Sequence, residues 1–208
     1  ASPLSVIFWV ICVMSVDLLA TERAEAAGVQ VTPLGSHDGE FCRFDRAMIF
    51  EDPDGTRILY DAGRTVAGPN DPRLGKIDVL LVSHMHGDHV GDRHLPAPNA
   101  GTCGDPDVSI KVTPNTSTVN LALATGAVIV TGSEMPRFFA GKLKALGGDP
   151  KKSRLVRFGA STKVGGVTLT PVPAVHSNGI SGSFIEGQLG EMLNAAGLTA
   201  YAGPPTGY

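Results

Sequence analysis

The chain's 208 residues suit one domain with a core large enough to need no disulfide support. Apolar content of 42% and charged content of 18% exclude a disordered chain, and a net charge of −3 lacks the basic footprint of a nucleic-acid partner. The 26 glycines and 15 prolines fall between short apolar runs, the punctuation expected of many short strands and turns.

The first 26 residues read as a targeting segment. Leu4 to Val16 is a nearly unbroken apolar run of about 13 residues, too short to span a bilayer comfortably. Ala24-Glu25-Ala26 follows as a small-x-small cleavage pattern. Against this reading stand the missing initiator Met, the missing basic start and Asp17, so an apolar anchor or buried helix is the alternative. The expected division is a signal peptide-like segment over 1–26 and one domain over 27–208, periplasmic or secreted, with no stable membrane span after signal removal. Export removes Cys12 and leaves Cys42 and Cys103. Two thiols in an oxidising compartment can pair, but two small unpaired core residues fit the sequence equally. Neither has C-x-x-C spacing.

From Val29 to Leu34 the pattern predicts a strand. Ala47–Glu51 and Arg57–Tyr60 are apolar strands around Asp52-Pro53-Asp54-Gly55, a turn composition that predicts a hairpin. Ile77–Val82 is nearly continuous in apolar residues, as in a strand buried on both faces. Residues 96–116 read as a long loop around a short strand near Val108–Val112. Val119–Ala124 is a helix candidate ahead of Gly126, and Val128–Val130 a strand. Ser133 is placed to cap a helix that runs to Leu146 and stops at Gly147-Gly148. On that helix Phe138, Phe139, Leu143 and Leu146 share one face and read as core. Leu155–Phe158 and Val167–Val172 are expected strands joined by the Gly165-Gly166 turn. This order predicts sheets with helices packed outside.

The chemistry is concentrated in Ser83-His84-Met85-His86-Gly87-Asp88-His89, directly after the buried strand. Residues two apart in extended backbone point the same way, so His84 and His86 can aim two imidazoles at one point. Gly87 permits a sharp turn. Asp88 suits the start of a short helix, where a carboxylate is favoured. With His89 it faces a neighbouring point. The two adjacent sites suit zinc and exclude neither iron nor manganese. His176, read as ending an apolar strand as His84 does, is the candidate third ligand of the first site. Asp61, in Tyr60-Asp61-Ala62-Gly63, is placed to accept the outer N–H of a ligand histidine and set its tautomer. An ordinary turn aspartate is the alternative. His37 and His94 have no partner at useful spacing. There is no G-x-S-x-G elbow, Walker loop or dinucleotide fingerprint.

The run His84-x-His86-x-Asp88-His89, the upstream Asp61-x-Gly63 and the later His176 together resemble the metallo-β-lactamase superfamily. Gly87-Asp88-His89-Val90-Gly91-Asp92 and the stretch from Gly165 to His176 are similar to predicted metal-dependent hydrolases related to ascorbate-6-phosphate lactonase. The resemblance covers roughly residues 29 to 208, with an insertion near 97 to 125. It implies an α+β fold, the αββα sandwich. His84, His86 and His176 would hold one metal, and Asp88 and His89 a second, with two zinc ions in the complete protein. The bridging aspartate and final histidine that follow in the family are missing, so the C-terminal half is expected to be incomplete.

The implied reaction uses metal-activated water to cleave a lactone, amide or ester in a small-molecule substrate. Asp88 is the catalytic group that orients the nucleophile or moves a proton. The lactone preference rests on analogy alone. A phosphodiesterase, an iron-dependent redox enzyme of the same fold and an inactive metal-binding fragment are the alternatives.

Overall fold

The computed structural model describes residues 28–35, 37 and 41–208; the signal-like segment lies outside them. A six-stranded sheet forms the centre. It consists of β1 (Gln30–Pro33), β2 (Met48–Glu51), β3 (Arg57–Tyr60), β4 (Val79–Val82), β7 (Val128–Thr131) and β8 (Ser153–Leu155), in that spatial order. The first three pair antiparallel, and β3, β4, β7 and β8 run parallel. Asp52-Pro53-Asp54-Gly55 closes the β2–β3 hairpin as expected, with Gly55 N donating to Asp52 O at 2.9 Å.

The apolar run in β4 follows from its central place. Leu80 and Val82 enter one core, with Ile49 of β2, Leu59 of β3 and Ile129 of β7. Val79 and Leu81 enter a second core on the opposite face, with Ile58 and Val130. Alternation sends successive side chains to opposite faces, so a strand covered on both sides must be apolar at every position.

Helices cover the first face. After α1 (Gly87–Val90) and the pair β5 (Arg93–His94) with β6 (Ile110–Lys111), α2 (Ser117–Thr125) supplies Val119, Leu121 and Ala122 to the core. From α3 (Met135–Ala145) come Met135, Phe139 and Leu143. The second face is covered by the hairpin β9 (Thr162–Val164) and β10 (Val167–Leu169), together with Val156 and Tyr208. Two further pairs follow: β11 (Val172–Pro173) with β14 (Thr206–Gly207), and β12 (Gly179–Ser181) with β13 (Thr199–Tyr201). The helix α4 (Gln188–Ala196) lies between β12 and β13 in the chain. Among the described residues no helix is long and apolar enough to cross a membrane.

Several local expectations are corrected. Ser133 does not cap α3. Its φ is +55°, and the cap position falls to Glu134, which makes no side-chain capping bond. Leu146 is 43% exposed because it has left the helix; it is the C-cap, and Gly147 N and Gly148 N close the end on Lys144 O and Leu143 O. The strand expected at 155–158 sits earlier, at β8, where its parallel register against β7 places it. Gly165-Gly166 joins β10 to β9, not to the 155–158 run, and the 167–172 strand breaks into β10 and β11.

Cys42 and Cys103 form a disulfide with Cα atoms 5.3 Å apart. The pairing left open by the sequence is made by tertiary proximity.

Candidate metal centre

The site assembles where the parallel strands β3 and β4 end. β4 delivers Ser83 and His84, then the chain turns through Met85 and His86 into α1, whose first turn carries Asp88 as its composition predicts. Gly91 ends α1 in the left-handed region at φ +77°. A Cβ there would meet Ser117 Cβ at 2.5 Å and Gly63 O at 2.6 Å, so only glycine fits. His89 O accepts from Gly63 N at 2.9 Å, which ties the histidine loop to the end of β3.

The structure brings His84, His86 and His176 together, with one ligand atom from each lying within 4.8 Å of the others. His176 is not at a strand end. It stands in the loop between β11 and β12, because the expected strand stops at Pro173. Asn178 fixes that loop: its Oδ1 accepts from Met85 N at 2.8 Å, and its amide donates to Ala202 O at 3.2 Å.

Asp61 sits at the hub. Buried to 1% exposure and held at φ +48°, its carboxylate accepts from Ser83 N at 2.8 Å and from Ser83 Oγ at 2.7 Å. His89 Nδ1 is 2.6 Å from the same carboxylate. An ionised carboxylate only accepts, so Nδ1 of His89 donates to it, and in the neutral imidazole Nε2 is left with its lone pair. The same logic runs through Ser83. Its hydroxyl spends its proton on Asp61 and can only accept from His84 Nδ1 at 2.9 Å. Thus Asp61 sets the tautomer of His84 through Ser83 and of His89 directly, a wider role than the single contact expected from sequence.

The consequence for His84 decides what the site can hold. Its Nε2 is buried, bears a lone pair and has no hydrogen-bond partner. A buried acceptor left unsatisfied costs about 1–3 kcal/mol, and a divalent ion between the three imidazoles removes that cost. Burial, and then repulsion from His89, His86 and His176, push the His84 pKa down to about 3. Burial and the neighbouring His176 lower that of His86 as well. Neutral imidazoles are the ligating form. His176 Nδ1 lies 2.9 Å from Ser177 O, which it can only donate to, and its other nitrogen is free for an ion. The donor set fits a divalent metal.

Asp88 and His89 form a neighbouring pair, with His89 Nε2 3.6 Å from Asp88 Oδ2. They are not in the three-histidine group. Burial opposes ionisation of Asp88, but His89, Arg46 and Arg64 together outweigh it and hold the carboxyl below its usual range. Arg46 Nε contacts Asp88 Oδ2 at 3.2 Å. A cleft of about 370 Å³ opens beside this carboxylate, lined by Phe44, Pro106 and Val108 and by the charged side chains of Arg46, Arg64 and Asp105. His94 lies apart, its Nδ1 against Leu95 O.

Sequence reasoning missed Ser83, Asn178 and Arg46. Ser83 stands inside the motif and was visible as its first residue, but its task depends on Asp61 arriving from another strand. Nothing in the sequence around Asn178 or Arg46 marks either one.

No family model matches the chain. It is 28% identical over 148 residues to a UPF0173 metal-dependent hydrolase from Pyrococcus furiosus, a match that takes in 70% of this chain and 52% of that protein. The match therefore spans about half the length of that relative.

Proposed function

We propose that this protein is a metal-dependent hydrolase whose ion is held by His84, His86 and His176, with Asp88 and His89 beside it. The reading rests on one observation, the convergence of three imidazoles around a buried, unpartnered His84 Nε2. The name of the Pyrococcus relative supports hydrolase chemistry with a metal cofactor. When bound, such an ion supplies the Lewis acidity that makes a nucleophile of water near neutral pH.

The chain's own residues do the rest. Asp61 and Ser83 hold the imidazoles in the tautomers that present free nitrogens. Asp88, ionised at neutral pH and 34% exposed at its side chain, can take a proton from the attacking water and return it to the leaving group. The cleft beside Asp88 admits a small molecule with an apolar portion against Phe44, Pro106 and Val108. A lactone, amide or ester is the proposed scissile group, and zinc the proposed metal. The αββα sandwich is the proposed fold, supported by helices on one face of the central sheet and strands on the other. Export is proposed on the Cys42–Cys103 disulfide, a bond that persists in oxidising compartments.

The test is elemental analysis of protein refolded with zinc, followed by a panel of ester, lactone and phosphodiester substrates. Bound zinc with ester or lactone turnover is expected. The double variant His84→Ala, His86→Ala should lose both. Wild-type protein without stoichiometric metal, or a double variant that keeps its metal and activity, overturns the assignment.

A further inference from the structure

We infer that the Cys42–Cys103 disulfide is part of the substrate site: it holds together the two segments that line the cleft beside Asp88, and so selects a substrate with one compact ring or branched alkyl group next to its scissile carbonyl. The inference rests on the hydrolase reading above and adds to it a determinant of specificity.

The lining of the cleft comes from both sides of the crosslink. Phe44 and Arg46 follow closely on Cys42, and Asp105, Pro106 and Val108 follow closely on Cys103. Each group sits in a turn that closes on itself. Asp45 N donates to Cys42 O at 3.0 Å, and Cys42 N to Asp45 Oδ2 at 2.7 Å. Across the bond, Thr102 N donates to Asp105 O at 3.0 Å, Asp105 N to Thr102 O at 3.1 Å, and Gly101 bridges to Pro106. Backbone bonding thus fixes the shape of each turn. The disulfide, with its Cα atoms 5.3 Å apart, fixes one turn against the other.

The second turn needs such a tie. It lies in the loop of residues 95–109, which leaves β5 at His94 and returns to β6 at Ile110. Leu95 N donates outward, to Arg64 O at 3.1 Å. Past it, among the described residues, the backbone bonds run within the loop, as in Asp107 N to Ala100 O at 3.1 Å. Its side chains from 96 to 109 are exposed or half-buried. A loop of that length without a helix or strand of its own is uncommon in a compact domain and often functional. With few buried contacts it opens at little cost. Cys42, by contrast, is 3% exposed. The crosslink fastens an exposed loop to a buried point.

The fixed turns present a definite surface. Phe44 is 41% exposed, and the Arg43 guanidinium stands 5.1 Å from its ring centroid. An aromatic ring beside Pro106 and Val108 suits a flat or branched apolar group. The cleft's volume of about 370 Å³ lies near the small end of ligand sites, roughly 300–1,000 Å³, which favours one ring over a long chain. Asp88 lines the same cleft, so a group seated there lies beside the proposed proton carrier.

Phenylacetamide and acetamide, titrated into zinc-treated protein and followed by NMR, test this. Wild-type protein should bind phenylacetamide at least about tenfold more tightly, the contribution of one buried ring. Cys42→Ser with Cys103→Ser should abolish that preference while zinc content stays at the wild-type level. The double variant gives up the stability of the crosslink, so wild-type protein reduced by a phosphine is measured beside it, with the same result expected. After reduction the backbone amides of residues 99–109 should exchange faster with solvent, and those of β4 should not. Phe44→Ala, with the crosslink intact, should lose the preference about as fully. Equal binding of the two ligands by wild type, a preference that survives reduction, or unchanged exchange in the loop overturns the inference and leaves the hydrolase standing. The titration reads the cleft whether or not zinc is held. Protein that prefers phenylacetamide only while crosslinked, yet retains no zinc, supports the clamped cleft and counts against the hydrolase reading alone.

Discussion

Lowering the pH through the range where His84 would ordinarily protonate should destabilise the metal-free protein from within its three-histidine cluster. The folded-state pKa of about 3 lies below the ordinary 6.5. In a group so depressed, the unfolded chain binds the proton first as pH falls, and stability drops while only the unfolded state is charged. The loss therefore begins near pH 6.5 and continues toward 3. One proton of difference is about 1.4 kcal/mol per pH unit, so His84 alone removes about 2 kcal/mol between pH 6.5 and 5. His86 is shifted the same way and adds to the slope. The carboxylates do not confuse this window. Asp71, Asp78 and Asp88 are lowered from 3.8, so their stabilisation is present above that value and lost only as pH falls below it. The assay is urea unfolding with a chelator present. With a slope of roughly 2 kcal/mol per molar for a domain of this size, the midpoint should fall by about 1 M across the window. His84→Gln should flatten most of that dependence. If the variant's midpoint falls with pH as steeply as the wild type's, the argument from burial and imidazole repulsion is wrong.

Three further outcomes are expected. Replacing Cys42 and Cys103 by serine releases a crosslink between positions 61 residues apart, which by loop entropy costs about 4 kcal/mol, read as a lower urea midpoint; a loss under about 1 kcal/mol would show that the two loops are held by packing alone. Asp61→Ala frees both Ser83 and His89 and should weaken zinc binding about tenfold to a hundredfold in a competition titration with a chelator, against no change if the imidazoles orient themselves. Gly91→Ala forces a side chain into the left-handed region against Ser117 and Gly63 O, and should cost about 2–4 kcal/mol in thermal unfolding. A variant as stable as wild type would refute the steric account of that turn.

What the amino-acid order determined by itself was local. The hairpin around Asp52–Gly55, the doubly buried β4 and the end of α3 at Gly147-Gly148 follow from alternation, turn chemistry and capping, each read within a few residues. The pairing of His84 with His86 was legible for the same reason, since both belong to one extended run. The boundaries that went astray, at β8 and at the break between β10 and β11, are set by neighbours distant in sequence. Residues past 177 carry β12, α4 and β13, elements the sequence reading did not assign although α4 has an amphipathic pattern. Only the tertiary structure decided that Asp61 reaches His84 through Ser83 and His89 directly, that Arg46 faces Asp88, and that Cys42 meets Cys103. These are contacts between elements 20 or more residues apart, and no periodicity encodes them. They arise when the sheet brings the ends of β3 and β4 side by side, where free backbone and short loops leave room for polar side chains to meet.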